Sequence, residues 1–215
     1  MLDAGLKKAH WAPASVFLVR MPSDQLYLPA LPILLPLGAV LMVVSWAVLR
    51  RRELLTTRRL VTAWAAGWYL VAVLGATMLP LRLAWGVNAG EPELYRIILI
   101  PLTTMRVDDF LLNIVMTLPL AALLLLVFGI RDRGRVVLVG FLLSAGIEVT
   151  QAILDLTLHG NRWADVNDLM SNTLGALLGY LALRRLLRFA SFRRVMEDCS
   201  LVPSRSGERP PAIRS

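Results

Sequence analysis

The stretch that decides the fold is 136-VVLVGFLLSAGIEVTQAIL-154. It is apolar for long enough to cross a bilayer, which takes about 20 residues at roughly 1.5 Å each. Yet it carries Ser144, Glu148 and Gln151, with Asp155 just beyond. An ionisable side chain at membrane depth costs about 2.5–3.5 kcal/mol on insertion scales. Such groups therefore face a bundle interior or a wet cavity, with a partner. The four polar residues follow the spacing i, i+4, i+7, i+11, which aligns them in one stripe along a helix. Other helices must cover that stripe. The chain is accordingly read as an all-α, polytopic transmembrane helical bundle of about five spans.

Composition points the same way. Of 215 residues, 57% are hydrophobic and only 18% charged, with a mean hydropathy of +0.63, outside the range of soluble domains. The net charge of +8 comes from arginines gathered at the ends of apolar runs. Membrane topology and anionic headgroups account for that placement, so membrane lipids are the expected partners and nucleic acid is not. Cys199 is the single cysteine, so no intrachain disulfide can form. No phosphate-binding loop, dinucleotide fingerprint or nucleophile motif occurs, and no cofactor is expected. Lys7 and Lys8 precede a short apolar patch broken by Pro13, which does not make a cleavable signal peptide.

The spans expected are 27–49, 60–81, 111–130, 136–154 and 169–187. Pro29, Pro32 and Pro36 predict a kinked or irregular outer half for the first. Trp64, Trp68 and Tyr69 mark an aromatic belt on the second. Residues 1–26 form an arm, 27–187 the transmembrane domain, and 188–215 a basic juxtamembrane segment with a tail disordered from Ser200. The segment 95–102 is apolar but too short to span, and reads as re-entrant or interfacial. A polar loop is expected over 155–167. Residues 50–59 hold five arginines, and 131–135 (RDRGR) and the C-terminal region are also basic. The loops 82–109 and 155–168 are balanced or acidic. The positive-inside rule then places the N-terminus outside, the C-terminus inside and the polar cluster on the extracytoplasmic side.

A second stripe, Asp168, Asn172, Gly175 and Gly179, repeats the spacing on the fifth span. Its glycines, with Ala176, admit a neighbouring helix at close range. The simplest packing sets the two stripes face to face, with Asn113 nearby. For Gln151, Asn113 and Asn172 one reading is interhelical hydrogen bonding, each bond contributing about 0.6–2 kcal/mol. A carboxylate such as Glu148 is a costly way to achieve that. Asp165 can N-cap the fifth span, with Asp168 at the favourable end of the helix dipole. Arg162 could pair with Asp165, Asp168 or Glu148. His159, Asp155, Asp165 and Asp168 suggest a metal site only weakly, with Asp165 and Asp168 as candidate ligands, because no characteristic spacing supports it.

These residues together resemble the VanZ-like family of bacterial membrane proteins. The resemblance covers about residues 75–185. It runs through Thr77-Met78-Leu79-Pro80, Ile100-Pro101-Leu102, Asn113 with Pro119, and Ile147-Glu148 with Gln151. It continues through Arg162, Asp165 and Asp168 to Asn172-Thr173-Leu174-Gly175-Ala176 with Gly179. The ordered set E-x-x-Q, R-x-x-D-x-x-D, N-T-x-G-A-x-x-G carries the specificity. Leu118, Leu120 and Ala121 around Pro119 depart from the phenylalanine and glycine frequent there. The resemblance implies a multi-span helical protein of the bacterial cytoplasmic membrane. The family's best-known member is associated with reduced susceptibility to teicoplanin-type antibiotics.

Three functions fit. In the first, the protein binds a lipid-linked or peptidoglycan-related ligand, or the glycopeptide itself, in an outward-facing cavity. That cavity is built from Asn113, Glu148, Gln151, Arg162, Asp165, Asp168 and Asn172. Arg162 would take an anionic group such as a pyrophosphate, and the carboxylates amines, amides or sugar hydroxyls. In the second, a membrane-embedded enzyme acts on lipid-linked intermediates, with Glu148 as general base and a divalent cation on Asp165 and Asp168. The third is a proton-coupled transporter carried by Glu148, which five spans without an inverted repeat could support only as a homodimer. Binding ranks first.

Overall fold

The computed structural model describes residues 24–86, 89, 91–103 and 105–202. The expected N-terminal arm lies almost wholly outside them, as does the tail beyond Val202. The first two helices, α1 (Ala30–Arg51) and α2 (Thr57–Met78), form a hairpin. Thr56 caps α2, its hydroxyl accepting the Arg59 N–H at 3.4 Å. The indole of Trp68 lies where a side chain on Gly38 would have to be. Trp64 Nε1 donates to the Met42 carbonyl at 3.1 Å.

The expected irregularity in α1 is absent. Pro29 is the N-cap and Pro32 falls in the first turn, where an N–H has no intrahelical acceptor anyway. Only Pro36 removes an interior bond, and the helix continues through it. Both ends of the hairpin differ from the expected spans. Tyr27 belongs to a strand, β1 (Gln25–Leu28), and Leu81 opens another, β2 (Leu81–Ala84). They pair antiparallel, Gln25 opposite Ala84 and Leu28 opposite Leu81. The peptide Leu79–Pro80 between α2 and β2 is cis.

The segment 95–102 is too short to span, as expected, and is mostly non-helical. A single 3-10 turn (Leu94–Arg96) leads into β3 (Ile97–Ile98), which pairs parallel with β4 (Ala164–Asp165). The third apolar run folds as two helices, α3 (Val107–Thr117) and α4 (Leu120–Phe128). Pro119 has no N–H to continue the ladder. The Thr117 hydroxyl folds back onto the Asn113 and Ile114 carbonyls, at 2.9 and 3.2 Å. Next come α5 (Arg133–Leu158), capped by Asp132, and α6 (Val166–Leu186). Asp155, expected in a loop, lies in the last turns of α5.

Helix α6 is the hub, packed against α5 and α3 along much of its length and against α4 further on. A Cβ on Gly175 would collide with the Thr117 hydroxyl and the Ile114 carbonyl, and one on Gly179 with the Leu118 carbonyl. The apolar core joins Leu120, Ala121 and Leu124 of α4, Val136 of α5, and Ala176, Tyr180 and Leu183 of α6. A last helix, α7 (Ala190–Cys199), lays Phe192 and Met196 against this core. Leu201 N–H donates to the Leu126 carbonyl at 2.8 Å, and Asp198 pairs with Arg58. Residues 190–202 are thus docked against the bundle; the rest of the tail expected from Ser200 lies outside the described residues.

The burial pattern is that of a membrane protein. Leu31, Val40, Val43, Leu112, Leu142 and Val149 are exposed, while Ser144, Gln151, Asp155, Ser171 and Asn172 are buried. Among the described residues, four helical segments, Ala30–Arg51, Thr57–Met78, Val107–Phe128 and Arg133–Leu158, are long and apolar enough to cross a membrane. With 21 residues, α6 has the length to span but carries more polar side chains, most of them turned inward. The architecture is an all-α polytopic bundle.

If close approach at α6 holds the bundle together, Gly179→Leu should destabilise it by about 1–3 kcal/mol or more through overpacking. Nothing lies within 4 Å of a Cβ on Gly146. There Gly146→Ala should be neutral or stabilise by up to roughly 1 kcal/mol. Thermal unfolding in detergent compares the two; equal effects would contradict the packing account.

Candidate functional site

The two polar stripes meet at the interface of α5 and α6. Asn172 Nδ2 donates to Ser144 Oγ at 2.9 Å, and the Ser144 hydroxyl faces the Asp168 carbonyl at 3.4 Å. The Asn113 side chain of α3 lies beside the Asp168 carboxylate. Asn172 Oδ1 is buried without a partner among the described residues.

One turn beyond Ser144, Glu148 bonds to backbone. Its Oε2 accepts the backbone N–H of Asp165 at 2.7 Å. Asp165 Oδ1 in turn caps α6, accepting both the N–H and the Nδ2 of Asn167 at 2.8 Å. Asn167 Oδ1 then accepts the N–H of Leu102 at 2.8 Å. Leu102 has φ +66°, a left-handed conformation that costs a leucine of order 1–3 kcal/mol. This chain of bonds fastens β4, the start of α6 and the 97–102 segment to α5.

A second set serves the exit from α2. Gln151 Nε2 donates to the Thr77 carbonyl at 2.8 Å. The Arg162 guanidinium donates to the Leu79 carbonyl. Carbonyls at a helix C-terminus lack intrahelical donors and favour a cation, so both contacts have a clear physical cause. Asn161 Oδ1 accepts the Arg82 N–H at 2.8 Å. His159 Nδ1 lies 3.2 Å from the Ala84 carbonyl, to which it must donate. The expected pairing of Arg162 with Asp165, Asp168 or Glu148 is not found among the described residues. Burial lowers the Arg162 pKa from its ordinary value, and its Nε has no partner among the described residues.

A cleft of about 590 Å³ opens beside this set. The β1–β2 ribbon forms one wall, with Tyr27 and Arg82; Glu91, Glu93 and Arg96 form another; Asp155, His159 and Asn161 line the α5 side. Arg96 is held at 2.8 Å from the Gly160 carbonyl and pairs with Glu93. Its Nε has no partner. Asp155 is 1% exposed, and neither carboxylate oxygen has a hydrogen-bond partner among the described residues. Arg96, Glu93 and His159 are the titratable side chains near it.

Of the residues singled out from the sequence, Asn113, Glu148, Asp165, Asp168 and Asn172 therefore come together. Gln151 and Arg162 lie along the same ridge but turn toward α2. Asn161, part of the polar set that precedes the fifth span, joins the α2 exit; Arg82, Glu93, Arg96 and Asn167 were not anticipated. The signal for Asn167 was its place beside Asp168; the others sit in a short strand or a turn whose partners no local pattern shows. Among the described residues no three acidic, histidine or cysteine side chains converge as metal ligands. The Asp165 carboxylate is engaged as a cap.

Glu148→Gln keeps an oxygen for the Asp165 N–H and should leave thermal stability within about 0.5 kcal/mol. Glu148→Ala orphans that donor and should cost about 1–3 kcal/mol. Asp165→Ala should cost about 0.5–2 kcal/mol as a lost cap. Unfolding midpoints for the three variants check this; equal losses for the two Glu148 variants would remove the bond from the account.

The family model VanZ/LLP1 matches residues 66–188, more than half of the 215. No curated protein and no solved structure matches the chain significantly. The matched stretch contains α3 to α6 entire, together with Glu148, Arg162, Asp165, Asp168 and both glycines of the hub. The chain is a multi-pass membrane protein that belongs to the VanZ/LLP1 family.

Proposed function

We propose that this protein is a non-enzymatic binder of an envelope ligand in the bacterial cytoplasmic membrane, with the cleft at the strand-bearing end open to the outside. The ligand class is a lipid-linked peptidoglycan precursor or a teicoplanin-type glycopeptide, which would link the protein to resistance of that type. The observation that carries the reading is Asp155, buried with both oxygens unpartnered. Burying a polar group without hydrogen bonds costs several kcal/mol, and native structures rarely leave it so. A ligand ammonium, amide or hydroxyl would supply the missing donors. Arg82 and Arg96, at the cleft wall, would take phosphate or carboxylate groups on the same molecule.

The ridge of Asn113, Glu148, Gln151, Arg162, Asp165, Asp168 and Asn172 is proposed as the rest of the ligand surface and its support. Asp168 and Glu148 are only half-buried. Glu148 lies two helical turns from Asp155, about 10 Å along α5, so one extended ligand could reach both. An outward-facing cleft requires the N-out, C-in orientation that the arginine distribution predicts.

Titrating purified protein with lipid-linked peptidoglycan precursor and with teicoplanin tests the binding. Asp155→Asn and Arg96→Gln should each weaken it about tenfold or more, while Leu178→Ala on the exposed flank should not. Unchanged affinity in both cleft variants would refute the site. Chelator-sensitive turnover of the precursor would replace binding with metal-assisted catalysis. The orientation has its own readout: Cys199 should react with a membrane-impermeant maleimide only after permeabilisation, and labelling in intact cells would reverse it.

A further inference from the structure

The opposite end of the bundle holds a second concavity, of about 820 Å³, between the start of α5 and the end of α6. Arg131 and Arg133 line it from one side, and Arg184, Arg185 and Arg188 from the other. Among the described residues, the ion pairs involve Arg58, Arg96 and Arg106, and none of these five. The one acid in the lining, Asp132, has Oδ1 on the Arg135 N–H at 2.9 Å as the α5 cap. Arg184 is positioned by the buried Tyr180: its guanidinium donates to the phenol oxygen at 3.2 Å and lies 6.0 Å from the ring centre.

Two ordinary explanations account for part of this. Arginines on the cytoplasmic flank set topology, and Arg184 and Arg185 complement the carbonyls at the C-terminus of α6. Neither requires Arg131 and Arg133, on another element, to close over the same hollow. Five like charges in one concavity repel each other and concentrate a positive potential that favours an anion. The first N–H groups of α5 add to that potential. Leu181, half-exposed, also lines the hollow and leads onto the apolar flank of α6, where Leu178 and Leu174 are exposed.

We infer that this cleft binds an anionic phospholipid, its phosphate groups among the five guanidiniums and its acyl chains along Leu181 and Leu178. Guanidinium forks suit phosphate oxygens, and basic pockets between membrane helices are where such headgroups lodge. The apolar lining selects a lipid over a soluble phosphate.

Detergent-solubilised protein titrated with cardiolipin, phosphatidylglycerol, phosphatidylcholine and inorganic pyrophosphate, read by native mass spectrometry, tests the inference. Cardiolipin and phosphatidylglycerol should bind more tightly than phosphatidylcholine. Arg131→Gln with Arg133→Gln, and Arg184→Gln with Arg188→Gln, should each weaken anionic-lipid binding by about tenfold or more. Arg193→Gln with Arg194→Gln, on α7 and away from the cleft, should change it less than about twofold. Replacing Arg131 and Arg133 by lysine keeps the charge and should retain most of the affinity, separating lost binding from lost folding. Equal weakening by the α7 pair would show diffuse surface charge and overturn the site. Pyrophosphate binding as tight as that of the lipids would overturn the lipid as its occupant.

Discussion

Backbone that leaves the helix within a membrane protein must find its hydrogen bonds inside the protein, because hydrocarbon offers none. Here that constraint falls on one end of the bundle. The chain abandons helical structure there at 79–84, again at 97–102 and again at 159–165. The groups released include the Thr77, Leu79 and Ala84 carbonyls and the N–H groups of Arg82, Leu102 and Asp165. Each is met by a side chain: Gln151, Arg162, His159, Asn161, Asn167 and Glu148 respectively. The polar stripe of α5 is therefore a scaffold before it is anything else. It lets irregular backbone stand beside apolar helices, and the mixed-charge cleft forms against that backbone.

Helix α6 makes that arrangement compact. Gly175 and Gly179 bring it against the break between α3 and α4, where Pro119 interrupts the ladder and the Leu118 carbonyl lies against the helix. Small residues on one helix and a broken ladder on the other are complementary: the first provides the room, the second the bend. Helix α6 is tied to α5 by Asn172, on the same stripe, through Ser144. Its N-terminus is fixed by Asp165, which both caps the helix and offers its own N–H to Glu148. Mutations in this ridge therefore act on structure and site together, and substitutions such as Glu148→Gln that preserve acceptor geometry are the informative ones.

The two ends of the bundle differ in chemistry. The strand-bearing end mixes signs, with Arg82, Arg96, Glu91, Glu93 and Asp155 around one hollow. The other end gathers five arginines with a single acid. A mixed site suits a ligand carrying both amines and anionic groups; a purely cationic one suits phosphate. The docking of α7, through Phe192 and Met196 on the core and Asp198 on Arg58, fixes the segment that follows Arg188.

Much of this was legible in the residues. Apolar runs of sufficient length reported the helices, because helix formation in lipid depends on local composition. The spacing from Ser144 to Asp155 and from Asp168 to Gly179 reported two stripes, because a helical period is a local property; the structure joins them through Ser144 and Asn172 and turns the glycines toward α3 and Leu118. Asp165 just before an apolar run reported a cap for the same reason. The tertiary structure alone decided what those side chains hold. Gln151 meets Thr77 and Arg162 meets Leu79 across more than 70 residues of chain, and Arg96 comes from a loop with no periodic pattern. It also decided that Tyr27 and Leu81 are strand residues and that Asp155 lies within a helix. A backbone group's need for a partner is set locally, but which side chain can supply one depends on the packing of the whole bundle.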